Sequence, residues 1–230
     1  MDPVRPPDQD ARRRDAISAA VRDAYREAVV LGMPVAAERA IRDAVDAGMS
    51  ELEIDDDIIT PAMRFVGDRW AAGDLTVAQE HLATSISFRV IALQHERFRV
   101  SQRRAGTRVL LAGMEGEQHV LGLEMAASGL LHAGYDVRML GADVPTAELG
   151  AAIRQHQPAL VGFTTARLQT ATRAYGAIAA ARAASPELAI LVGGGAARDI
   201  GSGDPSVAVC THVGDVLDMA DALVQRASLN

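Results

Sequence analysis

The stretch Leu110-Leu111-Ala112-Gly113-Met114-Glu115-Gly116-Glu117-Gln118-His119-Val120-Leu121-Gly122 carries an apolar run into a short polar loop and out again at Gly122. It reads as a buried strand, a loop and the first turn of a helix. In an open α/β sheet such a loop lies at the carboxyl edge of the strands, where ligands of this architecture bind, so His119 is expected to face a cleft. Glu117, two residues earlier, can accept the second ring N–H of the imidazole. That contact fixes the tautomer and raises the basicity of a metal-ligating histidine. Taken alone, a loop histidine is more often a solvated residue than a ligand, and the weight of the reading comes from what surrounds it.

Downstream, short apolar runs alternate with helical stretches, which is the βαβ pattern of a parallel sheet. Strands are expected near 107–113, 135–140, 158–164, 188–193 and 206–210. Helices are expected near 120–133, 146–156, 169–184 and 214–227, with a short one near 196–200. This predicts a five-stranded, doubly wound, Rossmann-like (flavodoxin-like) domain over 107–230, preceded by a polar linker at 101–106. Upstream, Ile17, Val21, Tyr25 and Val29 recur at fours, and a second helix opens on Pro34 and closes at Gly48. Ser50 and Glu53 form a capping-box signal for a third helix running toward Trp70, with Pro61 predicting a kink or break. After Ala71-Ala72-Gly73-Asp74, Thr76 is the expected N-cap of a fourth helix reaching about Arg99. The prediction is an antiparallel four-helix bundle over 11–100, behind a Pro- and Asp-rich leader, residues 1–10, expected to be disordered.

Composition excludes several chemistries. The chain has 230 residues, 49% hydrophobic but only 3% aromatic, so its cores must be built from Ala, Val, Leu and Ile. Its 23 basic residues are all Arg, which removes Schiff-base and phosphate-loop lysines. A net charge of −7 argues against direct nucleic-acid binding. The single cysteine, Cys210, sits in an apolar run and reads as a small buried hydrophobe, consistent with a cytoplasmic protein. No apolar stretch is long enough to span a membrane. Asp55-Asp56-Asp57 is expected to be a solvated helix face, and His95, His132 and His156 are expected on helices at or near the surface.

Glu117-x-His119-x-x-Gly122 resembles the corrinoid-binding signature of methionine-synthase-type cobalamin domains, most of which carry Asp where this chain has Glu. The resemblance implies that His119 is the lower ligand of cobalt and that Gly122 makes room for the corrin. Three further segments match the same pattern in order. Val137 to Pro145 is similar to the family's second strand and turn. Thr164 and Thr165 stand where the family has a serine that contacts the displaced base of the nucleotide tail. Gly193 and Gly194 match the glycine pair beside that tail, although a glycine triplet alone could be a tight turn or a phosphate loop. His212 is a further candidate for lining the tail slot.

The helical half sharpens the likeness. Trp70, the only tryptophan, stands in a Trp-x9-Glu-His spacing with Glu80 and His81 that resembles the light-sensing module of CarH/LitR-type adenosylcobalamin photoreceptors. The resemblance implies that the cofactor lies between the two domains, with the tryptophan against its adenosyl group, and that the chain is a light sensor and not an enzyme. Two departures matter. Those photoreceptors usually carry a preceding winged-helix DNA-binding domain, so the output here is expected to differ, through a homodimer rearrangement or an unidentified effector protein. A histidine that follows the tryptophan in those proteins is replaced by Ala71, which leaves His81 or water as the upper ligand after photolysis. Photocobilins, which add a bilin such as biliverdin to this module, are similar in kind; with no cysteine placed to attach one, a bilin would bind noncovalently. The rival reading is a corrinoid carrier subunit of a methyltransferase. A nucleotide-binding Rossmann domain is disfavoured because Gly-x-Gly-x-x-Gly is absent after the first strand.

Overall fold

Arg108–Gly113 lies at the centre of the second half of the chain: it pairs in parallel with a neighbour on either side, and every residue after Arg108 is buried. The computed structural model describes residues 7–94, 106–167, 172–200 and 207–227, with side chains from residue 17 onward. The chain divides into two units, Met1–Glu96 and Arg97–Asn230.

In the second unit the strands are β1 (Arg108–Gly113), β2 (Asp136–Met139), β3 (Leu160–Thr164), β4 (Ala189–Gly193) and β5 (Val207–Cys210). All pairings are parallel and the order is β2-β1-β3-β4-β5, the doubly wound arrangement with its crossover switch between β1 and β3. Leu110, Ala112, Val161, Phe163, Ile190 and Val192 face one layer with Leu149, Ile153, Ala174, Ala177 and Ala181. Those last five come from the helices Thr146–His156 and Ala174–Ala184. The other layer is formed by Leu121–His132 and Val216–Ala227. Small residues do the work of the missing aromatics: Gly162 has no side chain because a Cβ there would come within 2.6 Å of Leu111 Cδ2. The helix expected from 169 begins at Ala174, and residues 168–171 lie outside those described. The short helix expected near 196–200 is a 3-10 turn, Ala197–Asp199.

The first unit contains α1 (Pro7–Val30), α2 (Pro34–Asp46), a long helix from Glu51 to Ala71, and α5 (Val77–Gln94). The long helix comprises α3 (Glu51–Ile54), a π-turn over Asp55–Ile59 and α4 (Thr60–Ala71). Pro7 opens α1 inside the stretch expected to be a disordered leader; a proline suits a first turn, where an N–H has no partner to lose. Ser50 and Glu53 make the reciprocal capping box, and Thr76 and Gln79 make an equivalent one. Val21, Tyr25 and Val29 are buried, and the Tyr25 hydroxyl donates to Ser87 Oγ at 2.9 Å. His95 and the linker at 101–105 lie outside the described residues.

Pro61 neither breaks nor sharply ends the helix. Its ring would collide with the carbonyl of Asp57 in an α-turn, and the π-turn, closed by Thr60 N–H donating to Asp55 O, widens the helix at that point. The Asp57 carbonyl, deprived of the N–H that residue 61 lacks, accepts from Arg22 Nε of α1 at 2.5 Å. The structure also corrects the expectation for the acidic run. Asp57 is exposed, but Asp55 is fully buried, one helical turn after the buried Glu51 and beside Gln94. Burial, reinforced by the Glu51 and Asp56 charges and opposed by the Gln94 hydrogen bond, pushes its carboxyl up to about 8.

Candidate functional site

β1 ends at Gly113, where a Cβ would lie 3.0 Å from Val120 Cγ1 and 3.1 Å from Ala142 Cα, so the chain turns tightly into the loop that carries Glu117 and His119. Glu117 is fully buried at the carboxyl edge of the sheet, an unusual place for a carboxylate unless each oxygen has donors. Its Oε1 accepts from His119 N–H at 2.8 Å and meets His119 Nδ1 at 2.7 Å, while Oε2 accepts from Ala166 N–H at 2.7 Å. The imidazole thus donates through Nδ1 and carries its lone pair on Nε2, the tautomer that a metal requires. The His119 side chain is 48% exposed. A ring held at Nδ1 by a buried carboxylate is oriented as an imidazole that could ligate a metal would be.

Neighbouring elements hold this loop. Glu115 Oε2 accepts from Thr146 N–H at 3.1 Å, capping a helix whose N-cap, Pro145, has no side chain to do so. That bond, with the Thr146 side chain and Arg173, lowers the Glu115 carboxyl below its ordinary value. Arg173 Nη1 donates to Glu115 O at 3.1 Å. Asp143 accepts from Gly116 N–H at 2.6 Å and from Gln118 Nε2 at 3.0 Å. Asp143 falls inside the segment Val137 to Pro145 without a role of its own in the sequence reading, which also missed Ala166, Arg173 and Thr146. Their link to His119 is made across β-strands, and no local spacing signals it.

The remaining α/β residues gather at the same edge. Thr164 and Thr165 are buried at the end of β3, and Thr165 N–H donates to Gly193 O at 2.9 Å. Gly194, at φ +107°, crosses directly over Thr165: a Cβ would lie 2.3 Å from its carbonyl oxygen. Gly122 is the opposite case, with nothing within 4 Å of a Cβ, so its surface is open. His212 is exposed after β5, and Cys210, buried, donates its Sγ–H to His212 O at 2.9 Å.

In the helical unit Trp70 lies at the end of α4, 37% exposed. Glu80 and His81 are in the first turn of α5, with His81 Nδ1 2.6 Å from Glu80 Oε2 and Thr84 Oγ1 donating to Glu80 Oε1 at 2.9 Å. His132 and His156 are half-buried on their helices.

Two features suit this edge to a corrinoid. Among the described residues no group of three or more His, Cys, Asp or Glu converges on a metal position. A metal bound by a single imidazole would have to bring its other ligands with it, as the cobalt of a corrin does. The open surface over Gly122, beside that imidazole, suits a broad flat macrocycle. His119 with Glu117 would hold the cobalt side, and Thr164, Thr165 and the Gly193-Gly194 backbone would line the tail.

Comparisons with known proteins agree. Two models described as B12 binding domain match residues 21–93 and 107–216. The HTH-type transcriptional repressor CarH of Myxococcus xanthus is 33% identical over 181 residues, covering 76% of this chain and 59% of that protein. Trimethylamine corrinoid protein 2 of Methanosarcina acetivorans is 30% identical over 141 residues, covering 59% of this chain and 63% of that protein. The chain thus spans less than two thirds of these curated relatives. The monomethylamine corrinoid protein of Methanosarcina barkeri superposes with a TM-score of 0.71 at 17% identity, over 89% of this chain and 98% of that one, a likeness of fold. With both units matched, over residues 21–93 and 107–216, the chain belongs to the B12 binding domain family.

Proposed function

We propose that the chain is a cytoplasmic, adenosylcobalamin-dependent light sensor and not an enzyme, acting through a change of dimer state or an effector protein. The observation that carries this reading is Trp70: a large ring left partly exposed at the end of a helix, followed by the linked Glu80-His81 pair. An exposed indole is apolar area waiting for a cover, and a Glu-His pair offers hydrogen bonds to a ribose or to corrin amides. The identity with CarH supports the same reading. Adenosylcobalamin, when bound, supplies a cobalt–carbon bond that visible light breaks. His119 would hold cobalt, and Trp70 would exclude water from the adenosyl group. Loss of a cover over Trp70 would cost on the order of a few kcal/mol, enough to shift a two-state equilibrium a hundredfold.

The alternative, a corrinoid carrier subunit of a methyltransferase, has a specific support in the trimethylamine corrinoid relative. One experiment separates the two. Protein loaded with adenosylcobalamin is followed by absorption and small-angle scattering before and after green light, with His119→Ala and Trp70→Ala beside it. The sensor reading expects light to change both signals in the wild type, His119→Ala to lose the His-on spectrum, and Trp70→Ala to blunt the scattering change. A dark spectrum unaltered by light favours the carrier, and an unchanged spectrum in His119→Ala removes His119 as ligand.

A further inference from the structure

We propose that Asp143 is a positioning residue that sets the His119 ring for cobalt, an inference that rests on His119 being the lower ligand. The observation is a convergence on three consecutive loop residues. Asp143 Oδ1 accepts from Gly116 N–H at 2.6 Å, its own N–H donates to Glu117 O at 2.9 Å, and Oδ2 accepts from Gln118 Nε2 at 3.0 Å. The three residues before His119 are therefore strapped to one side chain and one amide from the loop after β2. The strap and the buried anchor complement each other. Glu117 is gripped at its carbonyl by Asp143 and at its carboxylate by Ala166 N–H, so the residue that orients the ring is fixed at both ends.

The backbone at Asp143 shows what this arrangement costs. Its φ is +54°, in the left-handed region where glycine is favoured and where aspartate is tolerated better than most residues. Asp143 is exposed, so burial does not explain its presence there. One partner of the strap shares the same geometry: Gly116 is at φ +82°, with Arg173 Nη1 2.7 Å from where a Cβ would be, so no side chain can enter beneath the strap. An exposed aspartate in a strained conformation is accounted for by the three contacts it makes, and all three act on the loop that presents His119.

The backbone conformation also supplies the test. Asp143→Gly keeps the left-handed geometry and the amide bond to Glu117 while removing only the carboxylate. Asp143→Asn keeps an acceptor for Gly116, and Gln118 can turn its amide to present an oxygen to the new NH2. Full-length protein carrying 15N-histidine is loaded with cobalamin, reduced to the cob(II)alamin state and examined by electron paramagnetic resonance, where an axial 15N gives a doublet and an axial 14N a triplet. Hydroxocobalamin affinity and circular dichroism are measured in parallel. The expected result is a doublet in the wild type, a reduced doublet with about tenfold weaker binding in Asp143→Gly, and near wild-type behaviour in Asp143→Asn, the scale found when partners of metal ligands are removed. A full doublet and unchanged affinity in Asp143→Gly overturn the positioning role. So does loss of the doublet in Asp143→Asn to the same extent as in Asp143→Gly, because the acceptor would then be irrelevant. Should Asp143→Gly fail to fold, Gln118→Ala breaks one strand of the strap and is expected to weaken the doublet, and an unchanged signal there counts against the proposal. No doublet in the wild type removes the ligand reading itself, and that result is distinct from every failure confined to the variants.

Discussion

A methyl group at Gly194 would have nowhere to go. Its Cβ would sit 2.3 Å from Thr165 O and 2.7 Å from Thr165 C, on a backbone already at φ +107°. Gly194→Ala is expected to destabilise the α/β unit by about 2 kcal/mol or more, read as a lowered thermal midpoint. Gly193→Ala, with 3.6 Å to its nearest atom, should be far milder, and equal losses at both sites would refute the account. The glycine triplet was visible in the sequence, but which glycine is indispensable was not, because the obstruction comes from the end of another strand. Glu117 and His119 divide the same way. Their contact is two residues long and could be read from spacing, whereas the second anchor of Glu117, at Ala166, lies far along the chain and is made by β3 running beside β1.

Among the elements, the π-turn carries the clearest electrostatic consequence. Asp55 Oδ2 and Gln94 Oε1 are buried without hydrogen-bond partners, while Gln94 Nε2 reaches Asp55 Oδ1 at 3.5 Å. A proton on Oδ2 supplies the donor that these two acceptors lack, in keeping with a carboxyl raised to about 8 chiefly by burial. The folded helical unit therefore binds this proton more tightly than the unfolded chain does. Stability from this group is largest below the unfolded value of about 4 and falls as pH rises toward about 8, by on the order of a few kcal/mol. Thermal midpoints measured by circular dichroism between pH 5 and 9 should decline, and Asp55→Asn should flatten that decline; an equal slope in both would show that Asp55 does not titrate there. Periodicity located the helices because their apolar stripes repeat at 3.6 residues, and capping chemistry located their starts. Three successive carboxylates point in three directions and so read as a solvated face, but Asp55 stands one turn after the buried Glu51 and shares its side of the helix.

For the whole molecule, a charge of −7 without a single lysine predicts negligible affinity for random duplex DNA at physiological salt, in light and in dark. A gel shift tests this, and tight binding that weakens with added salt would count against a protein-mediated output. A helical half followed by a five-stranded parallel sheet was legible because the helical and βαβ patterns are local, whereas the order β2-β1-β3-β4-β5 is set by pairings between distant segments; among the described residues no helix is long and apolar enough to cross a membrane. The direction in which Trp70 faces was not legible, since Trp-x9-Glu-His is a linear spacing and says nothing of azimuth. Each residue of an α-helix turns the chain by about 100°, and a π-turn absorbs one residue without that advance. Everything after Thr60 is therefore out of phase by about one residue step with an uninterrupted helix begun at Glu51. The wide turn at Asp55–Ile59 acts as an angular offset, and the compass bearing of the indole is set three helical turns before the indole itself.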